Sequence, residues 1–152
     1  MSLDQGYGGS LDKVKITTTF INLKLAADQF NLNANTVVLI VEDTSSGLSV
    51  SSNKVTLKAG VTYAIAANFR LNGASSGSSL HITTRDFTNN VNLGRTNNLI
   101  SLDNPTDDGA HGSLFFMIKP TTDIDVGFMA TFVNPANQGI FAAESYATIF
   151  SL

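Results

Sequence analysis

The chain has 152 residues, a net charge of −3 and no cysteine; 43% of its residues are hydrophobic and only 14% are charged, against a usual charged share of about 25%. Nine lysines and arginines are scattered rather than clustered, which argues against nucleic-acid binding, because displacing counterions from phosphates needs a basic stripe. The lack of cysteine excludes a disulfide framework and a thiolate metal site, and no apolar run approaches the roughly 18 residues of a membrane-spanning helix.

The opening MSLDQGYGGS reads as a flexible arm over residues 1–12, with Met1–Leu3 as an expression-derived extension. It lacks the basic-then-apolar order of a secretory signal. Asn104 is followed by Pro105, so the chain holds no usable glycosylation sequon. Residues 13–152 read as a single domain, large enough to bury a core.

Alternation with period two and turn residues dominate this domain. KVKITTTFINLKL places Val14, Ile16, Thr18 and Phe20 on one side. LKLAADQFNL is the one stretch read as able to form a helical turn. TVVLIVED is a short β-branched run, and KVTLKAG ends in a glycine turn. In VTYAIAANFRL, Tyr63, Ile65, Ala67, Phe69 and Leu71 share a face. A small-residue loop follows, then SLHITTRDF, with Leu80 and Ile82 on one face and His81, Thr83 and Arg85 on the other. VNLGRTNNLISL, the loop DNPTDDGAHG and the strand SLFFMIKP come next. IDVGFMATFV aligns Ile124, Val126, Phe128, Ala130 and Phe132. After NPANQG the chain finishes on the uncharged strand Ser145–Leu152. Eight to ten short strands joined by Gly, Asn and Pro turns predict an all-β antiparallel sandwich or jelly roll.

Two strands are apolar on both faces. SLFFMI sets Leu114, Phe116 and Ile118 against Phe115 and Met117; SYATIF sets Tyr146 and Phe150 against Ala147 and Ile149. A sandwich covers only the inner face of each sheet, so the second face predicts a subunit interface. The candidate interface is Phe115, Met117, Tyr146, Thr148, Ile149, Phe150 and Leu152. Which face of the terminal strand meets the neighbour, Tyr146, Thr148 and Phe150 or Ala147 and Ile149, stays open at this point.

The succession KVTLKAGVTYAIAANFRL, Gly/Ser loop, ITTRDFTNNVNLG, KPTTDIDVGFMATF and terminal SYATIFSL resembles phage and bacterial fibre-head domains over roughly residues 35–152. These in turn are similar to the globular heads of the tumour-necrosis-factor (TNF) and complement superfamily, where an apolar strand follows a glycine-to-tyrosine turn, as Gly60 to Tyr63 does here. The resemblance implies a ten-stranded jelly roll, a homotrimer packed around a threefold axis, and a head that binds host-surface glycans or proteins. It also implies a place on a virion, on a tail or capsid fibre among other virion proteins, after synthesis in the bacterial cytoplasm. No collagen-like or coiled-coil stalk precedes the head in this sequence, so it reads as a head alone or as a small virion protein held by its arm.

Receptor contacts would lie on loops: Asn72, Ser75 and Ser76; Asp107, Asp108 and His111; and Asn137, Gln138 and Phe141, the last as an aromatic platform for a sugar. Asp103, Asp107, Asp108 and His111 also invite a metal reading. The spacing fails the helix–loop–helix calcium pattern, and Asp and Asn are ordinary turn formers, so no metal or cofactor is assigned. His81 reads as a surface residue. No nucleophile elbow occurs, and Asp123, Asp125 and Glu144 make no convincing glycosidase pair. The expectation is a non-enzymatic receptor-binding head. The alternatives are a purely structural virion subunit, such as a capsid decoration or fibre anchor, and a hydrolase of surface polysaccharide.

Overall fold

The computed structural model describes residues 18–72, 79–95, 99–100, 111–134 and 138–152. The predicted arm and Val14 and Ile16 lie outside the described residues. Among those described, twelve strands form: β1 (Phe20–Leu25), β2 (Gln29–Leu32), β3 (Ile40–Ser46), β4 (Val50–Ser51), β5 (Lys54–Leu57), β6 (Tyr63–Asn72), β7 (Ser79–Asp86), β8 (Val91–Arg95), β9 (Leu99–Ile100), β10 (His111–Ile118), β11 (Ile124–Asn134) and β12 (Gln138–Ser151). All pairings between them are antiparallel.

One sheet runs β10–β6–β12–β2, and the β1–β3 pair continues it beside the C-terminal half of β12. The join is made by Ser151 N–H donating to the Thr19 carbonyl (2.8 Å) and Thr19 N–H donating to Ser151 Oγ (3.0 Å). The second sheet runs β4–β5–β11–β7–β8, with β9 also on β7. Between β2 and β3 the chain crosses to the second sheet. There Val38 N–H donates to the Phe128 carbonyl (2.9 Å) and Asn35 N–H to that of Ala130 (2.6 Å).

The core lies between the sheets and follows from the alternation. β6 contributes Tyr63, Ile65, Ala67 and Phe69; β11 contributes Ile124, Val126, Phe128 and Ala130; all are buried. Phe69 and Phe128 meet edge to face across the layers, with centroids 5.2 Å apart, the arrangement aromatic quadrupoles favour. Asparagine serves the turns. Ser52 and Asn53 both adopt positive φ (50° and 61°) in the two-residue connection between Ser51 and Lys54, as a tight hairpin of right-twisted strands requires.

Two expectations need correction. LKLAADQFNL contains no helical turn: Leu23 and Leu25 belong to β1, and Gln29 opens β2. The buried Gln29 amide explains this. Its Nε2 donates to the Leu39 carbonyl (2.9 Å) and its Oε1 accepts from Leu39 N–H (3.0 Å), so it stands in for a missing strand partner. His81 is half-buried rather than a surface residue.

Candidate assembly face and its polar rim

Alternation sends every second residue of β10, β6, β12 and β1 away from the core. The pairing registers turn these residues into rows. Met117 and Phe150 flank Ala64; Phe115 and Thr148 flank Ala66; Ser113 and Tyr146 flank Asn68; His111 and Phe141 flank Arg70. Phe115 is 66% exposed, Met117 61% and Tyr146 60%. Phe150 and Phe20 on the same face are half-buried, and Thr148 Oγ1 donates to Asn22 Oδ1 (2.8 Å). Between these flanking side chains Ala64 is buried and Ala66 half-buried. A contiguous exposed apolar surface of this kind marks an interaction site.

The face changes character where β12 bulges. Its pairing with β6 is regular from Ser151 to Tyr146, breaks, and resumes at Phe141. The bulge is held by Ala142 N–H donating to Asp28 Oδ1 (2.7 Å) and by Ser145 Oγ accepting from Arg70 N–H (3.0 Å). It carries Glu144 to Arg70, which it meets as a hydrogen-bonded ion pair, and to His111, with Oε2 3.2 Å from Nε2. Asn68 Nδ2 donates to His111 Nδ1 (3.1 Å) and to the Glu144 carbonyl (3.0 Å), and Asn68 Oδ1 accepts from Ser113 Oγ (3.0 Å). The Arg70 guanidinium lies 4.7 Å from the centroid of Phe141. A polar rim of Asn68, Arg70, His111 and Glu144 thus closes one end of the apolar face.

Of the residues expected at an interface, Phe115, Met117, Tyr146, Thr148 and Phe150 share this outer face. Ile149 does not: it is 1% exposed and part of the core cluster, because it alternates with Thr148 and Phe150. Leu152 ends the strand, 68% exposed, its N–H donating to the Thr62 carbonyl (2.9 Å). Among the loop candidates, Ser75, Ser76, Asp103, Asp107, Asp108 and Asn137 lie outside the described residues. Asn72 ends β6 opposite Gly139, and Gln138 starts β12 opposite Leu32. His111 and Phe141 are in the rim. The Arg70 guanidinium covers one face of the Phe141 ring.

No protein-family model matches the sequence, and no curated protein matches it. Solved structures do match. The crystal structure of murine APRIL at pH 8.0 superposes with a TM-score of 0.64 at 9% identity, over 89% of this chain and 99% of that one. The Eiger TNF of S. frugiperda gives 0.63 at 8% identity, over 89% and 91%. The fold is the TNF-type jelly roll.

On this TNF-type sandwich Asp123 and Asp125 are separately engaged. Asp123 Oδ2 pairs with Lys58 Nζ (2.7 Å) and Oδ1 accepts from Ala59 N–H (2.9 Å). The hydrogen bond from Lys58, with that N–H, holds the Asp123 carboxyl below its ordinary range and raises Lys58 above its own. Asp125 Oδ1 accepts from Thr56 Oγ1 (2.7 Å). Beside Lys58 a cleft of about 530 Å³ opens between Leu48, Ser49, Ser51, Val61 and Tyr63. Sequence reading missed Asn68, Arg70 and Glu144 as a unit. A signal existed: on the outward face of β6, Asn68 and Arg70 follow Ala64 and Ala66, an abrupt change from small to hydrogen-bonding residues along one strand face.

Proposed function

We propose that this protein is a non-enzymatic binding head that self-associates as a homotrimer through the outer face of the β10–β6–β12–β1 sheet and presents its loops to a receptor. One observation carries the reading: Phe115, Met117 and Tyr146 stand 60–66% exposed on one side of a sheet whose other side already fills the core. Sealing such side chains from water gains about 25 cal/mol per Å², and three copies around an axis repeat the gain. The TNF-type fold supports the reading. So does the separate engagement of Asp123, Asp125 and Glu144, each held by a different partner. The resemblance of the strand order to phage and bacterial fibre heads supports a finer placement, on a virion tail or capsid surface with a host glycan or protein as receptor. Three weak sites on a rigid head would then act by avidity.

Light scattering tests the assembly. A mass about three times 16.1 kDa is expected, falling to the single-chain value in Phe115→Asp and Met117→Lys with unchanged far-UV circular dichroism. A single-chain mass for the unaltered protein at micromolar concentration overturns it. Saturable binding to host cells, competed by host-surface glycan or receptor extract, tests the recognition role. Its absence favours a purely structural subunit.

A further inference from the structure

We infer that His111, Asn68 and Glu144 form a proton-sensitive latch on the assembly face, closed when His111 is neutral and opened by acid. The inference rests on the self-association reading for its consequence but not for its chemistry. An amide nitrogen only donates, so the Asn68 Nδ2 contact at 3.1 Å makes His111 Nδ1 an acceptor. The imidazole proton then sits on Nε2, facing Glu144 Oε2 at 3.2 Å. Turning the Asn68 amide over has a cost: its Nδ2 also donates to the Glu144 carbonyl, a bond that reversal loses, whereas Ser113 Oγ, which donates to Oδ1, can accept from the reversed amide. The network therefore favours one tautomer of one charge state.

Adding a proton to Nδ1 sets two donors against each other, His111 Nδ1–H and Asn68 Nδ2–H. The imidazolium gains attraction to Glu144, but that carboxylate already pairs with Arg70. Among the described residues, the charged groups facing His111 are Arg70 from β6 and Glu144 from β12. β9 (Leu99–Ile100) has no ionisable residue, and β8 approaches β10 from the core side, where a side chain on Gly94 would meet the Phe116 ring. Protonation thus adds one positive charge per copy to the Arg70–Glu144 rim. Relief of the donor–donor clash by turning the Asn68 amide, so that Oδ1 accepts from Nδ1–H, frees the Glu144 carbonyl, which belongs to the β12 bulge, from its Asn68 anchor. Tyr146, the neighbour of Asn68 in register, links this disturbance to the apolar face. Acid is therefore expected to weaken self-association.

The test lowers the pH from about 8 to about 5, the span in which histidine is the side chain with an ordinary change of charge. Association of the full chain is read by analytical ultracentrifugation, and backbone amides 142–145 by NMR. The expected result is weakening by about tenfold or more, with the bulge amides shifting along the His111 imidazole titration. His111→Gln should remove both effects. Asn68→Asp supplies an acceptor to Nδ1–H and should reverse the sign, so that acid strengthens association; a merely structural role for Asn68 gives no reversal. Association that is equal at both pH values, or that keeps its pH dependence in His111→Gln, overturns the inference. If the chain does not associate at any pH, the self-association reading fails by itself. The latch then stands or falls on whether amides 142–145 follow the His111 titration.

Discussion

Lys58 and Asp123 show what single contacts do on this surface. Both are solvent-exposed, yet the pair meets at 2.7 Å and Asp123 also receives the Ala59 N–H, from the turn between β5 and β6. Because the Asp123 value is lowered on folding, its contribution is complete above the ordinary aspartate range near 3.8 and is lost as the pH falls through its lowered value. Because the Lys58 value is raised, its contribution is complete below 10.5 and is lost as the pH rises through its raised value. Asp123→Asn should therefore lower the melting temperature slightly at neutral pH, less in high salt, and the difference from the unaltered protein should vanish in strong acid. Thermal melts across pH check this; a difference that is constant from neutrality to pH 2 contradicts it. None of this pairing was legible in the sequence, since Lys58 and Asp123 are 65 residues apart and nothing local joins them.

At the scale of elements, alternation was the readable part. The inward sets on β6, β10 and β11 fell on the positions that period two selects, because a strand has only two faces and one is buried. What alternation cannot show is where a strand breaks register. The β12 bulge depends on Asp28 capping Ala142 N–H from 114 residues away, and β2 exists as a strand because Gln29 satisfies Leu39. These are tertiary hydrogen bonds that override local propensity, and a strand–turn–strand stretch therefore read as a helical turn. Gly139 is the close contact where β2 meets β12. A Cβ there would lie 2.6 Å from the Gln29 carbonyl oxygen, and backbone cannot swing aside as a side chain can. Gly139→Ala should destabilise the protein by roughly 1–3 kcal/mol, the usual cost of overpacking. Urea denaturation should show a lower midpoint, with loss of hydrogen-exchange protection concentrated at Gln29–Leu32.

For the whole molecule, the terminal strand carries both part of the core and part of the proposed assembly face. β12 lies between β6 and the β1–β3 pair, so the uncharged end of the chain is interior to a sheet rather than at its margin. Its two faces have different duties, which the sequence could list but not assign, because the choice depends on which side meets β11 and its sheet. Ile149 is in the core, whereas Tyr146, 60% exposed, stands on the outer face. Ile149→Ala should cost about 2–5 kcal/mol, the range for deleting a buried aliphatic side chain, and should lower unfolding midpoints under conditions where the chain is monomeric. Tyr146→Ser should leave the monomer's midpoint nearly unchanged and weaken association instead. Removing Ile149–Leu152 takes away the core side chain, the Ser151–Thr19 bonds and the Leu152–Thr62 bond together. Assembly should then be lost because the fold that carries the face is lost, and circular dichroism of the truncated chain should show this before any mass measurement does. A truncated chain that keeps its β-sheet signal and still associates would mean that the face is held by β10 and β6 alone, and would remove β12 from the assembly surface.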